Sequence, residues 1–410
     1  MKILIFSTAY FPHVGGAEVA VKEITDRIGD IAFDMITVRL NKQDKPQEKI
    51  SNVNVYRLGW GLPAGSRGLG TGLGKLDKLL FPFRAARLTS KLHRQNNYEV
   101  IWSIMASFSG FAALFFKKKH PEVKFLITLQ EGDDLRKVES KINLPFVKKW
   151  FKQIFTKADY VQCISHYLAK WAKEMGAKCP IEVVPNGVNQ ISDFTCLPAR
   201  QGFQISDLRR LGLADDEKII LTTSRLVKKN GIDDLIKATQ ILITHYSLLV
   251  TLVICGTGIE LNNLKSKIKH LKLEDKVKLV GFVKPEELSE YYAAADVFCR
   301  PSLSEGLGNS FLEAMAVGAP VVATQVGGIP DFLTDGKTGW FCKVNDPKSI
   351  AEKIKYILDE KNRDEVNRVI DNAKQMVLEK YNWDIIAPQM KNIFSALGTR
   401  LPDGQGSALG

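Results

Sequence analysis

The feature that most constrains this chain is the alternation of apolar, strand-like runs with amphipathic helical stretches almost from end to end. That alternation is the pattern of doubly wound α/β domains. In the first half the strand-like runs are 2–7, 33–40, 53–57, 100–104, 124–130, 160–164 and 181–184. In the second half they are 218–223, 248–255, 277–280, 297–299, 320–323 and 340–342. Helical stretches fall between them, among them 16–28, 108–119, 232–242 and 309–317. The 410 residues are enough for two domains of ordinary size. After Pro185-Asn186-Gly187-Val188 the chain has turn residues and no period until about residue 205, which is the expected boundary. The reading is therefore two Rossmann-like halves, 1–190 and 206–380, with a ligand cleft between them at the carboxyl ends of their strands. The polar, glycine-rich 401–410 reads as a disordered tail.

Composition excludes several classes. Apolar residues at 45% and charged residues at 25% are those of a soluble globular protein, not of a disordered or fibrous one. The opening Met1–Ser7 is too short for a signal peptide and lacks a small-residue cleavage site. The longest apolar run, Phe108 to Phe116, stops at Lys117-Lys118-Lys119 and is too short to span a membrane. Six cysteines are scattered without a CxxC, which reads as a reducing, cytoplasmic protein. Six histidines stand apart in the sequence and no DxD precedes a ligand cluster, so no metal is expected. The glycine-dense 59–74 holds no GxxxxGK[ST] and reads as a loop.

Charge is unevenly placed. Residues 1–200 hold 30 Lys and Arg against 18 Asp and Glu, whereas residues 201–410 hold 27 of each. The whole +12 excess lies in the first half. Such a field fits an acidic partner: a phospholipid surface, a polyphosphate or an anionic acceptor. In 79–94, helical spacing sets an apolar edge (Leu79, Leu80, Phe83, Ala86) beside a basic one (Arg84, Arg87, Lys91, Arg94). No nucleic-acid partner is expected.

The sharpest chemical signal is the stretch from Arg300-Pro301-Ser302 through Glu305-Gly306-Leu307-Gly308-Asn309 to Glu313-Ala314-Met315. A strand ends, a glycine-bearing turn follows, and a helix begins near Gly308. Backbone N–H groups at such a start form a site for a diphosphate. Glu305 lies in the turn and Glu313 in the helix, so each carboxylate can face a different part of one ligand. The stretch resembles the E-x7-E motif of glycosyltransferase family 4, and the resemblance runs through Val280-Gly281-Phe282-Val283, Tyr291-Tyr292-Ala293-Ala294-Ala295-Asp296, Gly318-Ala319-Pro320 and Val326-Gly327-Gly328-Ile329-Pro330. It covers nearly the whole chain.

That resemblance implies the GT-B architecture and a retaining sugar transfer from a nucleotide diphosphate sugar, with Glu305 on the sugar and Glu313 on the ribose. Ser224-Arg225-Leu226-Val227-Lys228-Lys229-Asn230-Gly231 is similar to the loop that holds the leaving diphosphate. Arg225 fits that role, since a guanidinium gives phosphate two parallel donors. Where the family usually has lysine this chain has Asn230, and Lys229 is the substitute. Gly15 and Gly16 allow the backbone to approach the donor closely, and Gly256 and Gly258 resemble the loop near the nucleotide. Val283 stands where relatives hold the base through backbone groups. In the loop after strand 124–128, Gln130 replaces the usual histidine and cannot take a proton, and Glu131, Asp133 and Asp134 are candidates for the acceptor side. The segment 383–397 is the one that would cross back to the first domain. No cofactor or metal is implied, only the nucleotide sugar and a saccharide or lipid-linked acceptor. The alternatives are a GT-B nucleotide-sugar epimerase, or a non-catalytic nucleotide-sugar-binding protein on an acidic membrane.

Overall fold

The computed structural model describes residues 1–62, 72–140, 144–188 and 217–398. The 401–410 tail, the linker beyond Val188, Cys196 and residues 63–71 of the glycine-dense stretch therefore lie outside the described residues. The chain divides into two compact units. The first is Met1–Glu131, Leu135–Pro185 and the chain from Asp384 on; the second is Gly132–Asp134 and Asn186–Trp383.

The first unit begins β1 (Lys2–Phe6), α1 (Gly16–Arg27), β2 (Ala32–Val38), β3 (Gln47–Ile50), β4 (Val53–Leu58) and α2 (Gly72–Asn96). It continues β5 (Val100–Ile104), α3 (Phe108–Lys119), β6 (Lys124–Leu129), α4 (Leu135–Ser140), α5 (Pro145–Thr156), β7 (Tyr160–Cys163), α6 (His166–Glu174) and β8 (Ile181–Val183). The strands form one sheet in the order β3-β4-β2-β1-β5-β6-β7-β8. All neighbours are parallel except β3 against β4. The central strands are buried on both faces, which is why they read as unbroken apolar runs. Edge strand β3 was not expected from sequence. Its Gln-Glu-Lys-Ile is exposed or half-buried throughout, and pairing with β4 rather than an apolar pattern defines it. The glycine-dense stretch also differs from its reading as a loop: Gly72 and Gly74 belong to α2.

The second unit runs β9 (Lys218–Thr223), α7 (Ile232–Thr244), β10 (Val250–Cys255), α8 (Leu261–His270), β11 (Val277–Gly281), α9 (Pro285–Ala294) and β12 (Val297–Arg300). Then come α10 (Asn309–Val317), β13 (Val321–Thr324), β14 (Trp340–Cys342), α11 (Pro347–Leu358) and α12 (Arg363–Lys380). Its sheet is parallel throughout, in the order β11-β10-β9-β12-β13-β14. The order reverses between β9 and β12. Loops leaving the carboxyl ends of two such strands diverge to opposite faces and open a crevice, so this point locates the ligand site of a doubly wound sheet.

The last helix, α13 (Trp383–Gly398), packs on the first unit. Phe394 is fully buried, with its ring 6.0 Å from that of Phe33 and 5.1 Å from that of Trp102. Two ion pairs border it, Arg27 with Asp384 and Lys391 with Asp30, each at 2.8 Å. No helix among the described residues is long and apolar enough to cross a membrane.

Candidate active site

Four loops meet at the carboxyl ends of β9, β10, β12 and β13. Their backbones are laced together before any side chain is considered. Leu226 N–H donates to Thr257 O at 2.9 Å, Leu303 N–H to Lys229 O at 2.6 Å, and Gly328 N–H to Glu305 O at 3.1 Å. Two of these approaches need glycine. Gly327 has φ +58°, and a Cβ there would lie 1.7 Å from Glu305 O; at Gly256, with φ +144°, it would lie 1.8 Å from Ser224 O. Gly256 is thus a structural necessity of the loop that carries Arg225. Gly258 is too, since its Cβ would meet Leu226 O at 2.3 Å.

In the loop after β9, Arg225 is exposed, and its guanidinium has no hydrogen-bond or ion-pair partner among the described residues. A short 3-10 turn, Lys228–Asn230, ends at Gly231 in the left-handed region. Asn230 is buried and donates through Nδ2 to Arg225 O at 2.6 Å. The side chain at the family's lysine position therefore braces the loop rather than pointing outward. Lys229 Nζ donates to Gly132 O at 2.6 Å and lies 3.3 Å from Asp133 Oδ1. A Cβ at Gly132 would stand 2.9 Å from Lys229 Nζ and 3.3 Å from Glu305 Oε1, so Lys229 and Glu305 converge on one point. Lys228 is exposed.

Glu305 is held at both of its carboxylate oxygens. Arg300 Nη2 donates to its Oε2 at 2.6 Å, and Gly306 N–H donates to its Oε1 at 3.0 Å. Arg300 is itself buried at the end of β12. It also donates to Ser310 Oγ at 2.7 Å, Ser302 Oγ at 3.2 Å and Thr223 O at 3.4 Å, with its guanidinium 4.3 Å from the Phe311 ring centre. The sequence reading gave Arg300 no role. A charged residue ending the apolar strand Val297-Phe298-Cys299 was the signal, because a buried cation needs partners. Helix α10 begins at Asn309 with no acidic residue in its first turn, so nothing of its own competes for an anion there. Leu307 is buried beneath this start.

Glu313 sits on α10 against Tyr292 of α9. Tyr292 Oη donates to Glu313 Oε2 at 2.6 Å and lies 2.7 Å from Thr223 Oγ1. Burial raises the pKa of Glu313, opposed by the Tyr292 hydrogen bond and the charge of Arg300. The Tyr292 hydroxyl is pushed well above its ordinary value, by burial first and by Glu313 second, so it stays a donor. Tyr292 was also missed as a positioning residue. Val283 is buried after β11, beside the exposed Phe282.

Asp134 belongs with Gly132 and Asp133 to the second unit, whereas Gly15, Gly16, Gln130 and Glu131 lie in the first. Gly15 caps α1, whose first turn carries Glu18, and a Cβ at Gly15 would lie 2.8 Å from Glu18 Oε2. The place offered to an anion at Gly15-Gly16 therefore already has a carboxylate beside it. Gln130 and Glu131 are buried at the end of β6, and Glu131 accepts from Ala106 N–H at 2.6 Å, tying the loop after β5 to the loop after β6. Histidines isolated in the sequence are not all isolated in space, which corrects the reading above. The rings of His93 and His120 are 4.9 Å apart, and Glu122 Oε1 lies 3.7 Å from His93 Nε2 and 3.3 Å from His120 Nδ1. These residues lie where the chain enters β5 and β6, at the amino ends of the strands. Tyr98 N–H donates to His93 Nδ1, which leaves the ring proton on Nε2, the nitrogen a metal would need.

Residues 204–376 match the family model of glycosyl transferases group 1, and residues 14–190 match that of glycosyltransferase family 4. The chain belongs to glycosyltransferase family 4. A glycosyltransferase of Methanocaldococcus jannaschii is 34% identical over about half of each chain, 52% of this one and 53% of the relative. The N-acetyl-alpha-D-glucosaminyl L-malate synthase of Bacillus anthracis is 24% identical over 96% of this chain and 97% of its own length. Among solved structures, Anabaena HepE in complex with UDP-glucose superposes with a TM-score of 0.74 at 19% identity, covering 97% of this chain and all of that one. The fold of this family 4 glycosyltransferase is GT-B, and the sheet of its second unit supplies the four loops described above.

Proposed function

We propose that this glycosyltransferase moves a hexose from a nucleotide diphosphate sugar to an acceptor hydroxyl, keeps the anomeric configuration, and needs no metal. The observation that carries the reading is the set of charges at the β9–β12 switch point: an exposed guanidinium at Arg225 with no partner among the described residues, an ammonium at Lys229, and two carboxylates in fixed positions. Charge grows on the leaving diphosphate as the glycosidic bond breaks, and preorganised cations and a helix start are suited to take it up. Glu305 has both oxygens engaged, so it is better placed to hold a sugar hydroxyl with its remaining lone pairs than to attack carbon. That favours front-face departure and attack through an oxocarbenium-like state. Glu313 would accept from the ribose hydroxyls. The second unit is then the donor side and the first the acceptor side. A UDP-glucose complex of a structure with the same fold, and a glucosaminyl transfer named for one relative, agree with this reading. A cytoplasmic site on an anionic membrane surface fits the one-sided charge.

A mass-spectrometric screen of nucleotide sugars against saccharide and lipid-linked acceptors tests the function, with NMR of the product for its anomeric configuration. Release of an epimer without an acceptor, or no turnover with any pair, would overturn it. Chelation should leave activity unchanged; a loss restored by a divalent cation would refute metal independence.

Glu313→Ala should raise the donor KM much more than it lowers kcat, because the ribose is not the reacting centre. The pH dependence follows from the raised pKa of Glu313. The ionised carboxylate accepts from the ribose, so donor affinity is present above that pKa and is lost as pH falls through it. Glu313→Gln should flatten this profile, and an unchanged profile would remove Glu313 from the ribose.

A further inference from the structure

Three helices of the first unit carry nearly all the excess charge of the chain. Helices α2, α3 and α5 hold twelve Lys and Arg against one acidic residue, Asp77, while the formal net charge of all 410 residues is +12. Asp77 is buried and satisfied from within, accepting from Trp60 N–H at 2.9 Å and from Arg84 Nη1 at 3.0 Å. The surface of the three helices is therefore purely basic.

That surface is also apolar where α3 packs between α2 and α5. Leu79 and Phe83, one turn apart on α2, are 59% and 57% exposed, and Phe146 at the start of α5 is 53% exposed. A continuous run of rings joins them. Phe83 stacks on Phe115 with centroids 5.1 Å apart, Phe115 meets the Trp150 edge at 5.2 Å, and Trp150 meets Phe146 at 5.6 Å. The Lys118 ammonium lies 5.8 Å from the Trp150 ring centre. Beyond Phe83 the ridge of α2 turns basic. Arg84, Arg87, Lys91 and Arg94, with Lys119 of α3, line an open recess of about 600 Å³.

Large exposed apolar patches on a soluble chain mark interaction sites. Here the protruding groups are aliphatic and aromatic together, and on α2 they precede the cations that line the recess. That separation of an apolar edge from a basic one along a long helix is how an interfacial helix lies on lipid, apolar side chains entering the headgroup boundary and cations meeting phosphate. A nucleic acid would be matched by the cations but not by exposed leucine.

We propose that this face docks on an anionic phospholipid bilayer, with Leu79, Phe83 and Phe146 entering the interface and Arg87, Lys91, Arg94 and Lys119 neutralising headgroup phosphates. The proposal deepens the membrane-surface part of the proposed function and is independent of the donor chemistry.

The test is co-sedimentation of the full chain with phosphatidylcholine vesicles, with and without phosphatidylglycerol. Binding should require the anionic lipid and fall as salt is raised. Each basic residue at the surface is worth about fivefold in partitioning, so Arg87→Ser, Lys91→Ser and Arg94→Ser together should weaken binding about a hundredfold. Phe83→Ser with Phe146→Ser should weaken the binding that survives high salt. Nucleotide binding by the same variants should be unchanged, which separates failure of this face from failure of the donor reading or of folding. Equal binding to neutral and anionic vesicles, or no binding to either, would overturn the proposal. So would competition by soluble dextran sulfate combined with indifference to the Phe83 and Phe146 substitutions, which would point to a soluble polyanion.

Discussion

Arg225→Ala should lower kcat/KM for sugar transfer by about a hundredfold to a thousandfold, or about 3–4 kcal/mol of barrier, while leaving the thermal midpoint close to that of the unsubstituted protein. The two halves of this expectation have separate causes. The guanidinium is exposed and has no partner among the described residues, so its removal leaves no buried group unsatisfied and costs the fold little. The position of its loop rests on the backbone, through Leu226 N–H on Thr257 O and the Asn230 amide on Arg225 O, and these bonds survive truncation at Cβ. What is lost is a cation already in place when the diphosphate departs. Lys229→Ala should give a smaller loss and Lys228→Ala almost none, because Lys229 shares its point of convergence with Glu305 while Lys228 is exposed. Equal, slight effects at all three positions, read from steady-state kinetics, would take this loop out of the diphosphate site.

Substitution of Arg300 should have the second-largest effect, and it should strike stability and turnover together. Its guanidinium and the Glu305 carboxylate are 2.6 Å apart, with only 8% and 14% of the side chains exposed. Arg300→Met leaves the Glu305 carboxyl group without its partner, and breaking a buried pair from one side costs about 3–5 kcal/mol. Arg300→Lys keeps the charge but cannot serve Glu305, Ser310, Ser302 and Thr223 at once. It should retain most of the thermal midpoint while kcat falls and donor KM changes little. The double substitution Arg300→Met with Glu305→Gln separates the contributions. Removing both charges should restore much of the stability lost in Arg300→Met and none of the activity. If the double variant is no more stable than Arg300→Met, the ion pair is not what the single substitution breaks; if Arg300→Lys keeps full kcat, Arg300 does not position Glu305 for the reaction.

Much of this architecture was legible in the sequence because parallel sheets bury both faces. Val100–Ile104, Lys218–Thr223 and Trp340–Cys342 have the bounds read from their apolar runs, and helices Phe108–Lys119 and Asn309–Val317 have theirs. Edge strand β3 was not legible, because an edge held by backbone pairing needs no apolar pattern. In the candidate site, Arg225, Glu305 and Glu313 were named as candidates from their place in a motif. The residues that hold them were not. Arg300 reaches Glu305 from the end of a strand, and Tyr292 reaches Glu313 from another helix, 21 positions away. Those contacts depend on side-chain direction across packed elements, which spacing along one element does not give. Asn230 is the reverse case. Compared with a motif it looked like a missing lysine; in place it is a buried amide that shapes the loop bearing Arg225.

The most direct measurement is calorimetric titration of the full chain with UDP, GDP and ADP in the presence of a chelator, repeated on Arg225→Ala and Glu313→Ala. If the second unit holds the donor through Arg225 and Glu313 without a metal, at least one nucleotide binds the unsubstituted protein, and both substitutions weaken that binding. If no nucleoside diphosphate binds, or if one binds all three proteins equally well, the donor site is not at the β9–β12 switch point and the account is wrong.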